Sequence, residues 1–182
     1  MSAKGEQTRN HILEEAYKLF AQKGFKQVTM KDICESTKLS RGGLYRHYAG
    51  TDEILSEILS RDYVIADQIE QGFSARKILE ELLGALKEEM LDSEKSLSLA
   101  IYEYASLGNE DFFIHVNEQA KKRWNSLIRY GIETGEFKKV DCEQITDVIL
   151  YSYQGVRMWS KVIPLEKDTV DHIVNMIREL LL

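Results

Sequence analysis

Proline and cysteine are scarce in this sequence, whose 182 residues include one Pro and two Cys. Because proline is nearly absent while Leu, Ile, Glu, Lys and Ala are frequent, the composition favours helix throughout. The two cysteines form neither a CxxC motif nor a disulfide framework, and Cys34 is expected to be a small core residue. Long apolar runs are also missing, so neither a membrane-spanning helix nor a secretory signal is predicted. These absences predict a cytoplasmic, all-α protein.

Motifs for catalysis and metal binding are missing too. The sequence contains no Ser/His/Asp series, no phosphate-binding loop and no zinc motif. The pairs Asp111/His115 and Asp168/His172 have the i,i+4 spacing that could in principle hold a metal, but each is more simply a surface salt bridge. We therefore expect no enzyme, no cofactor and no metal site.

Positive charge is concentrated near the start of the chain. The whole sequence carries 24 basic and 30 acidic residues, a net charge of −6, yet residues 1–50 hold nine Lys or Arg against five Asp or Glu. A basic segment on an acidic remainder is typical of a protein that meets nucleic acid at one end. Lysines that only solubilise a surface would explain the charge equally well.

Two short helices joined by a turn are predicted within that basic segment. A first helix over about 6–23 ends at Gly24, which supplies the left-handed residue after the last turn. Thr29 can cap a second helix by accepting from the backbone NH of Asp32, and Ser40 can cap a third that runs to His47. This order matches a helix-turn-helix. Further helices are predicted over about 51–71, 75–91, 94–107, 110–134, 142–161 and 168–181, which makes nine helices and no strands.

Residues 8–60 resemble the tetracycline-repressor (TetR) family of bacterial transcriptional regulators. The resemblance runs through "LFAQKGF" and "VTMKDICESTKLSRGGLYRHYAGTDEIL". The positions that carry it are Thr29, Ile33, Leu39, Ser40, Gly43, Tyr45, Tyr48 and Asp52-Glu53. The chain departs from the family pattern at Lys38, where Gly is usual, so Lys38 is expected in a left-handed conformation. It also departs at Thr51, where Lys is frequent, so a cationic phosphate contact is lost there, although the hydroxyl or backbone NH of Thr51 can still bond a phosphate oxygen.

The resemblance implies the organisation and the function. It implies a helix-turn-helix DNA-binding domain over 6–51, a linking fourth helix over 51–71, and a domain for ligand binding and dimerisation over 72–182. It also implies a ligand-responsive transcriptional regulator, most simply a repressor. Such a repressor binds a palindromic DNA operator as a homodimer and is released by a small-molecule effector.

The third predicted helix is the candidate for the major groove. Arg41 and Arg46 can bond guanine in bidentate fashion or contact phosphate, and nothing in folding requires them there. The full set of predicted DNA contacts is Thr29, Lys31, Ser40, Arg41, Gly42, Tyr45, Arg46, His47, Tyr48 and Thr51. Tyr45 and Tyr48 have an alternative role as core aromatics, and Lys31 as a solvated charge. A helical interaction module without a DNA target is the competing function, although it needs no Gly-Gly helix flanked by arginines.

Aromatic residues are dense in the C-terminal two-thirds and suit either an apolar ligand pocket or an ordinary core. The ligand-binding candidates are Tyr102, Phe113, Trp124, Tyr151, Gln154 and Trp159. By resemblance, the last two helices pair with their copies in a homodimer. Their apolar stripes are equally expected if they are buried within one subunit.

Overall fold

The computed structural model describes residues 3–60, 65–92, 96–160 and 162–182. Within these ranges every regular element is a helix, so the all-α prediction is confirmed. The helices are α1 (Ala3–Lys23), α2 (Met30–Thr37), α3 (Arg41–Tyr45), α4 (Thr51–Ser60), α5 (Ile65–Glu70), α6 (Ala75–Leu91), α7 (Ser98–Ala105), α8 (Glu110–Glu133), α9 (Cys142–Trp159) and α10 (Lys167–Leu181). None of these described helices combines the length and apolar character that crossing a membrane requires.

The helix borders lie within a few residues of the predicted ones, except along the fourth predicted helix. α4 and α5 both fall within that span of about 51–71. Residues 61–64 lie between them and outside the described residues. The described residues before position 62 form one compact unit together with those between 94 and 110, and the others form a second unit. We call these the N-terminal unit and the C-terminal unit.

The core of the N-terminal unit begins on α1. Ile12, Ala16 and Phe20 recur at every fourth position and are fully buried, as expected for one face of a helix. Ile33 of α2 and Leu44 of α3 are also fully buried, so each short helix of the predicted helix-turn-helix has an apolar anchor.

Local chemistry ends and begins these helices as predicted. Gly24 has φ +79°, and the ring of Phe25 lies 5.9 Å from that of Phe20 between centroids. Thr29 caps α2 in a reciprocal capping box with Asp32. Lys38 ends α2 in the left-handed conformation at φ 59°, which confirms the expectation from the missing glycine.

Helix α7 belongs to the N-terminal unit, although the sequence places residues 94–107 in the C-terminal domain. Its Tyr104 packs on Phe25 with ring centroids 4.9 Å apart, and the Tyr104 hydroxyl lies 3.1 Å from Ser56 Oγ of α4. The carboxylate of Glu103 accepts from the backbone NH of Lys26 at 2.8 Å. These contacts join residues far apart in sequence, so no local sequence pattern predicts them. The predicted division into domains 6–51 and 72–182 stays a prediction.

The C-terminal unit is a helical bundle of α5, α6, α8, α9 and α10 around an apolar core. Fully buried side chains include Ile78 and Leu83 of α6, Leu127 of α8 and Ile149 of α9. The Arg178 guanidinium of α10 makes a bidentate pair with Glu80 of α6, at 2.8 Å for each bond. The shared core and this ion pair hold α6, α8, α9 and α10 against one another.

Candidate nucleic-acid interface

The short helix α3 is held by a cap at its start and an apolar anchor on its inner side. Ser40 Oγ accepts from the backbone NH of Gly43 at 3.2 Å, as predicted for an N-cap. Leu44 is fully buried, whereas a Cβ at Gly42 would meet no heavy atom within 4 Å. The outer surface of α3 is therefore bare at its first turn, which lets a flat or grooved partner approach the backbone closely.

Three large side chains leave this anchored helix and remain exposed. Arg41 and Arg46 are both exposed, and the Tyr45 side chain keeps 50% of its surface accessible. His47 is partly buried beside them. Within the described residues, neither guanidinium makes a hydrogen bond or an ion pair. Two free guanidinium groups, one on α3 and one on its C-cap residue Arg46, supply up to ten N–H donors for nucleic-acid phosphates or base edges.

Two predicted phosphate contacts lie at the start of α2: the Lys31 side chain is available to a partner, whereas the Thr29 hydroxyl is already hydrogen-bonded within the protein. Lys31 is exposed and lies 3.6 Å from Glu35 in a surface ion pair that costs little to open. Thr29 uses its hydroxyl inside the capping box, accepting from Asp32 N at 3.3 Å and donating to the Asp32 carboxylate. The hydroxyl and the backbone NH of Thr29 both donate to the Asp32 carboxylate, and these two bonds lower the pKa of Asp32 to about 2. Thr51, at the start of α4, is partly buried.

Tyr48 is a core residue, and its prediction as a phosphate contact is wrong. Its side chain is 3% exposed, and its hydroxyl donates to Glu57 Oε2 of α4 at 3.0 Å. The Arg9 guanidinium of α1 lies over its ring, 5.2 Å from the centroid, and Arg9 Nε donates to Glu57 Oε1 at 2.7 Å. Burial, reinforced by the Glu57 carboxylate, raises the pKa of the Tyr48 hydroxyl. Sequence reasoning missed Arg9 and Glu57, because their meeting depends on how α1 and α4 pack.

Comparison with known proteins identifies the fold around this helix. The model for bacterial regulatory proteins of the tetR family matches residues 12–58, which include α2, α3 and most of α4. The chain is 30% identical over 138 residues to the uncharacterized HTH-type transcriptional regulator YfiR of Bacillus subtilis, covering 71% of this chain and 67% of that protein. It is 29% identical over 138 residues to the HTH-type transcriptional repressor KstR2 of Mycobacterium tuberculosis, covering 71% and 69%. The chain belongs to the TetR family.

A solved TetR-family structure shows that the likeness extends through the whole chain. The crystal structure of a TetR transcription regulator from Haloarcula marismortui has a TM-score of 0.64 at 20% identity, covering 97% of this chain and all of that one. The TetR fold is thus shared by both units. TetR-family proteins are DNA-binding transcriptional regulators that respond to small-molecule ligands, and the prediction of a regulator instead of an enzyme is confirmed.

The six predicted ligand-binding residues lie in different environments. Trp124 of α8 is buried in the core at 7% exposure, in keeping with its alternative role as a core residue. Phe113 is partly buried and packs edge-to-face on Phe112. Tyr102 is exposed on α7, in the N-terminal unit. The remaining three are exposed on α9: Tyr151, Gln154 and Trp159. That these six residues line one pocket stays a prediction. The C-terminal unit does not contain all six, because Tyr102 belongs to the N-terminal unit.

Proposed function

We propose that this TetR-family protein is a repressor that binds a palindromic operator as a homodimer in the cytoplasm and is released by a small-molecule effector. The observation that carries the proposal is the pair of exposed, unpaired arginines at the first residue and the C-cap of α3, within the segment that matches the family model. KstR2 is named as a repressor, and repression requires only that a bound protein block a promoter.

The arginines of α3 are the proposed base-reading residues. Arg46 and Arg41 present guanidinium groups that fit the two acceptors on guanine in the major groove. Tyr45 and His47 lie beside them and can contact bases or backbone. The backbone contacts are assigned to residues at helix starts, where free NH groups and the helix dipole favour phosphate: Thr29, Lys31, Ser40, Gly42 and Thr51. Of these, Lys31 is the strongest candidate because the Thr29 hydroxyl is already engaged.

The proposed dimer interface is the outer face of α9. Four exposed apolar side chains have spacings of three, seven and one residues, which place them on one side of the helix: Val148, Tyr151, Met158 and Trp159. Gly155 lies among them and has no heavy atom within 4 Å of an added Cβ, so another helix could approach closely there. Met176 adds an exposed apolar side chain on α10. A contiguous apolar face of this kind is typical of a surface that a second copy covers.

Selection of bound sequences from random duplex DNA tests the function. We expect the purified protein to enrich one palindromic sequence, with half-sites about one helical turn apart. Wild-type protein would then be compared with the double variant Arg41→Ala/Arg46→Ala, and with Arg129→Ala as a control, since Arg129 is an exposed arginine of α8. Enrichment of no sequence, or equal enrichment by the double variant, would reject the proposal.

A further inference from the structure

A buried arginine lies on the inner side of α9. Arg157 is 6% exposed and is the one charged residue among the described residues whose side chain is buried. It lies four residues after Tyr153 and on the opposite side of α9 from the apolar face proposed for the dimer. Burying a guanidinium is costly unless its charge and its N–H donors are all satisfied. Sequence reasoning did not single it out, although an arginine among the inward positions of an amphipathic helix is the signal.

The charge of Arg157 is compensated, but its donors are not all used. Arg157 Nη1 lies 3.7 Å from Glu89 Oε2 of α6 and donates to the Tyr153 hydroxyl at 2.6 Å, and that hydroxyl donates to the Glu89 carboxylate. The guanidinium also lies over the Tyr153 ring, 4.9 Å from its centroid. Arg157 Nε is shielded from solvent and has no hydrogen-bond acceptor. One buried donor is therefore left for an acceptor from outside the chain.

The surroundings define the kind of acceptor. Because Glu89 already neutralises the guanidinium, an added carboxylate or phosphate would bring an uncompensated negative charge next to Glu89. A neutral oxygen can accept a hydrogen bond from Arg157 Nε without that repulsion. Three nearby residues of the two helices are apolar: Met90 is buried, and Leu86 and Val156 pack partly buried against the same core. The rest of the bound molecule is therefore expected to be apolar.

We propose that Arg157 Nε is the anchor for the effector, and that the effector is a neutral, largely apolar molecule that presents a carbonyl-type oxygen. This inference rests on the proposed function, in which the C-terminal unit binds a small molecule. Tyr153 and Glu89 act as positioning residues that hold the guanidinium and leave its Nε donor available.

Calorimetric titration with matched probes tests the ligand class. The probes are methyl ketones, carboxylates and primary amines of equal chain length, titrated into the purified full-length protein. We expect the ketones to bind more tightly than the matched carboxylates and amines. Arg157→Met should weaken ketone binding about tenfold or more, since a hydrogen bond from a charged donor is lost. Arg129→Met, which changes an exposed arginine on α8, should leave ketone binding unchanged.

Two further variants separate ligand recognition from folding. Arg157→Lys keeps the charge opposite Glu89 but has no Nε donor, so it should fold and still lose ketone affinity. Glu89→Gln leaves the guanidinium uncompensated, so it should shift the ligand preference of the protein towards carboxylates.

The proposal is overturned if no methyl ketone binds, if carboxylates bind wild-type protein as tightly as ketones, or if Arg157→Lys binds ketones as wild type does. Binding of the selected operator without added probe is measured in parallel. If wild-type protein binds the operator and any of those results is found, only the proposed ligand class is rejected. If wild-type protein does not bind the operator, the proposed function as a DNA-binding regulator is rejected.

Discussion

The Glu57 carboxylate of α4 accepts a hydrogen bond from the hydroxyl of Tyr48, which lies just after α3, at 3.0 Å. The same carboxylate is paired with Arg9 of α1, so one side chain ties together three segments of the N-terminal unit. Tyr48 lies only three residues after Tyr45, the last residue of α3. Glu57 therefore helps to set the angle at which α3 presents its arginines.

Tyr48→Phe tests this relationship. It removes the hydroxyl and keeps the ring, so we expect the free energy of unfolding to fall by about 1 kcal/mol. Urea denaturation followed by circular dichroism measures the change. Tyr45→Phe is the matched control: because Tyr45 is half exposed, its loss of a hydroxyl should change stability by less than about 0.5 kcal/mol. Equal effects in the two variants would remove Glu57 from this role.

Arg46→Ala tests base reading by α3. If Arg46 bonds a base, specific binding should weaken by about 1–3 kcal/mol while binding to random duplex changes less. If Arg46 contacts only phosphate, both affinities should fall by a similar factor and the salt dependence should become shallower. Fluorescence anisotropy with selected and random duplexes measures both. Unchanged affinity for the selected operator would exclude Arg46 from the interface.

Lys38→Gly tests the left-handed residue that ends α2. Lysine pays a steric cost at φ 59° that glycine does not, so we expect the substitution to stabilise the protein by about 0.5–1 kcal/mol. Lys122→Gly makes the same exchange at an exposed position inside α8 and should destabilise by about 1 kcal/mol. The two variants should thus have opposite effects on the urea midpoint, and destabilisation by both would refute the strain at Lys38.

Asp32→Asn tests the capping box through pH. The pKa of Asp32 is lowered from 3.8 to about 2 in the folded protein, chiefly by the Thr29 hydroxyl and backbone NH. Its stabilising contribution is therefore complete above pH 3.8 and is lost as pH falls towards 2. We expect wild type to exceed the variant by about 1 kcal/mol at neutral pH, with the difference shrinking across that interval. A difference that is constant with pH would contradict this assignment.

Met158→Glu tests the dimer face of α9. A carboxylate placed in an apolar interface has no partner there, so we expect sedimentation velocity to show a monomer and operator affinity to fall. Ile114→Glu is the control, since Ile114 is an exposed apolar residue of α8 outside the proposed face. If the dimer dissociates in Ile114→Glu and not in Met158→Glu, the dimer interface lies on α8 instead of α9.

Features determined by neighbouring residues could be predicted from sequence. The caps at Thr29 and Ser40 and the left-handed Gly24 follow from chemistry within three or four residues. The choice between the core and the DNA-contact role of Tyr48, and the packing of Tyr104 on Phe25, could not be predicted, because each depends on a partner brought close only by the fold. In the same way, periodicity identifies an amphipathic α9 but does not show that Arg157 is left with an unused donor.

The proposed function depends most directly on α3 and its C-cap presenting Arg41 and Arg46 to DNA. The decisive measurement is the affinity of wild-type protein and of Arg41→Ala/Arg46→Ala for duplex DNA over a range of salt concentrations. We expect wild-type affinity to fall steeply as salt rises, and the double variant to bind more weakly with a shallower slope, because fewer counterions are released. Identical salt curves for the two proteins would contradict the account.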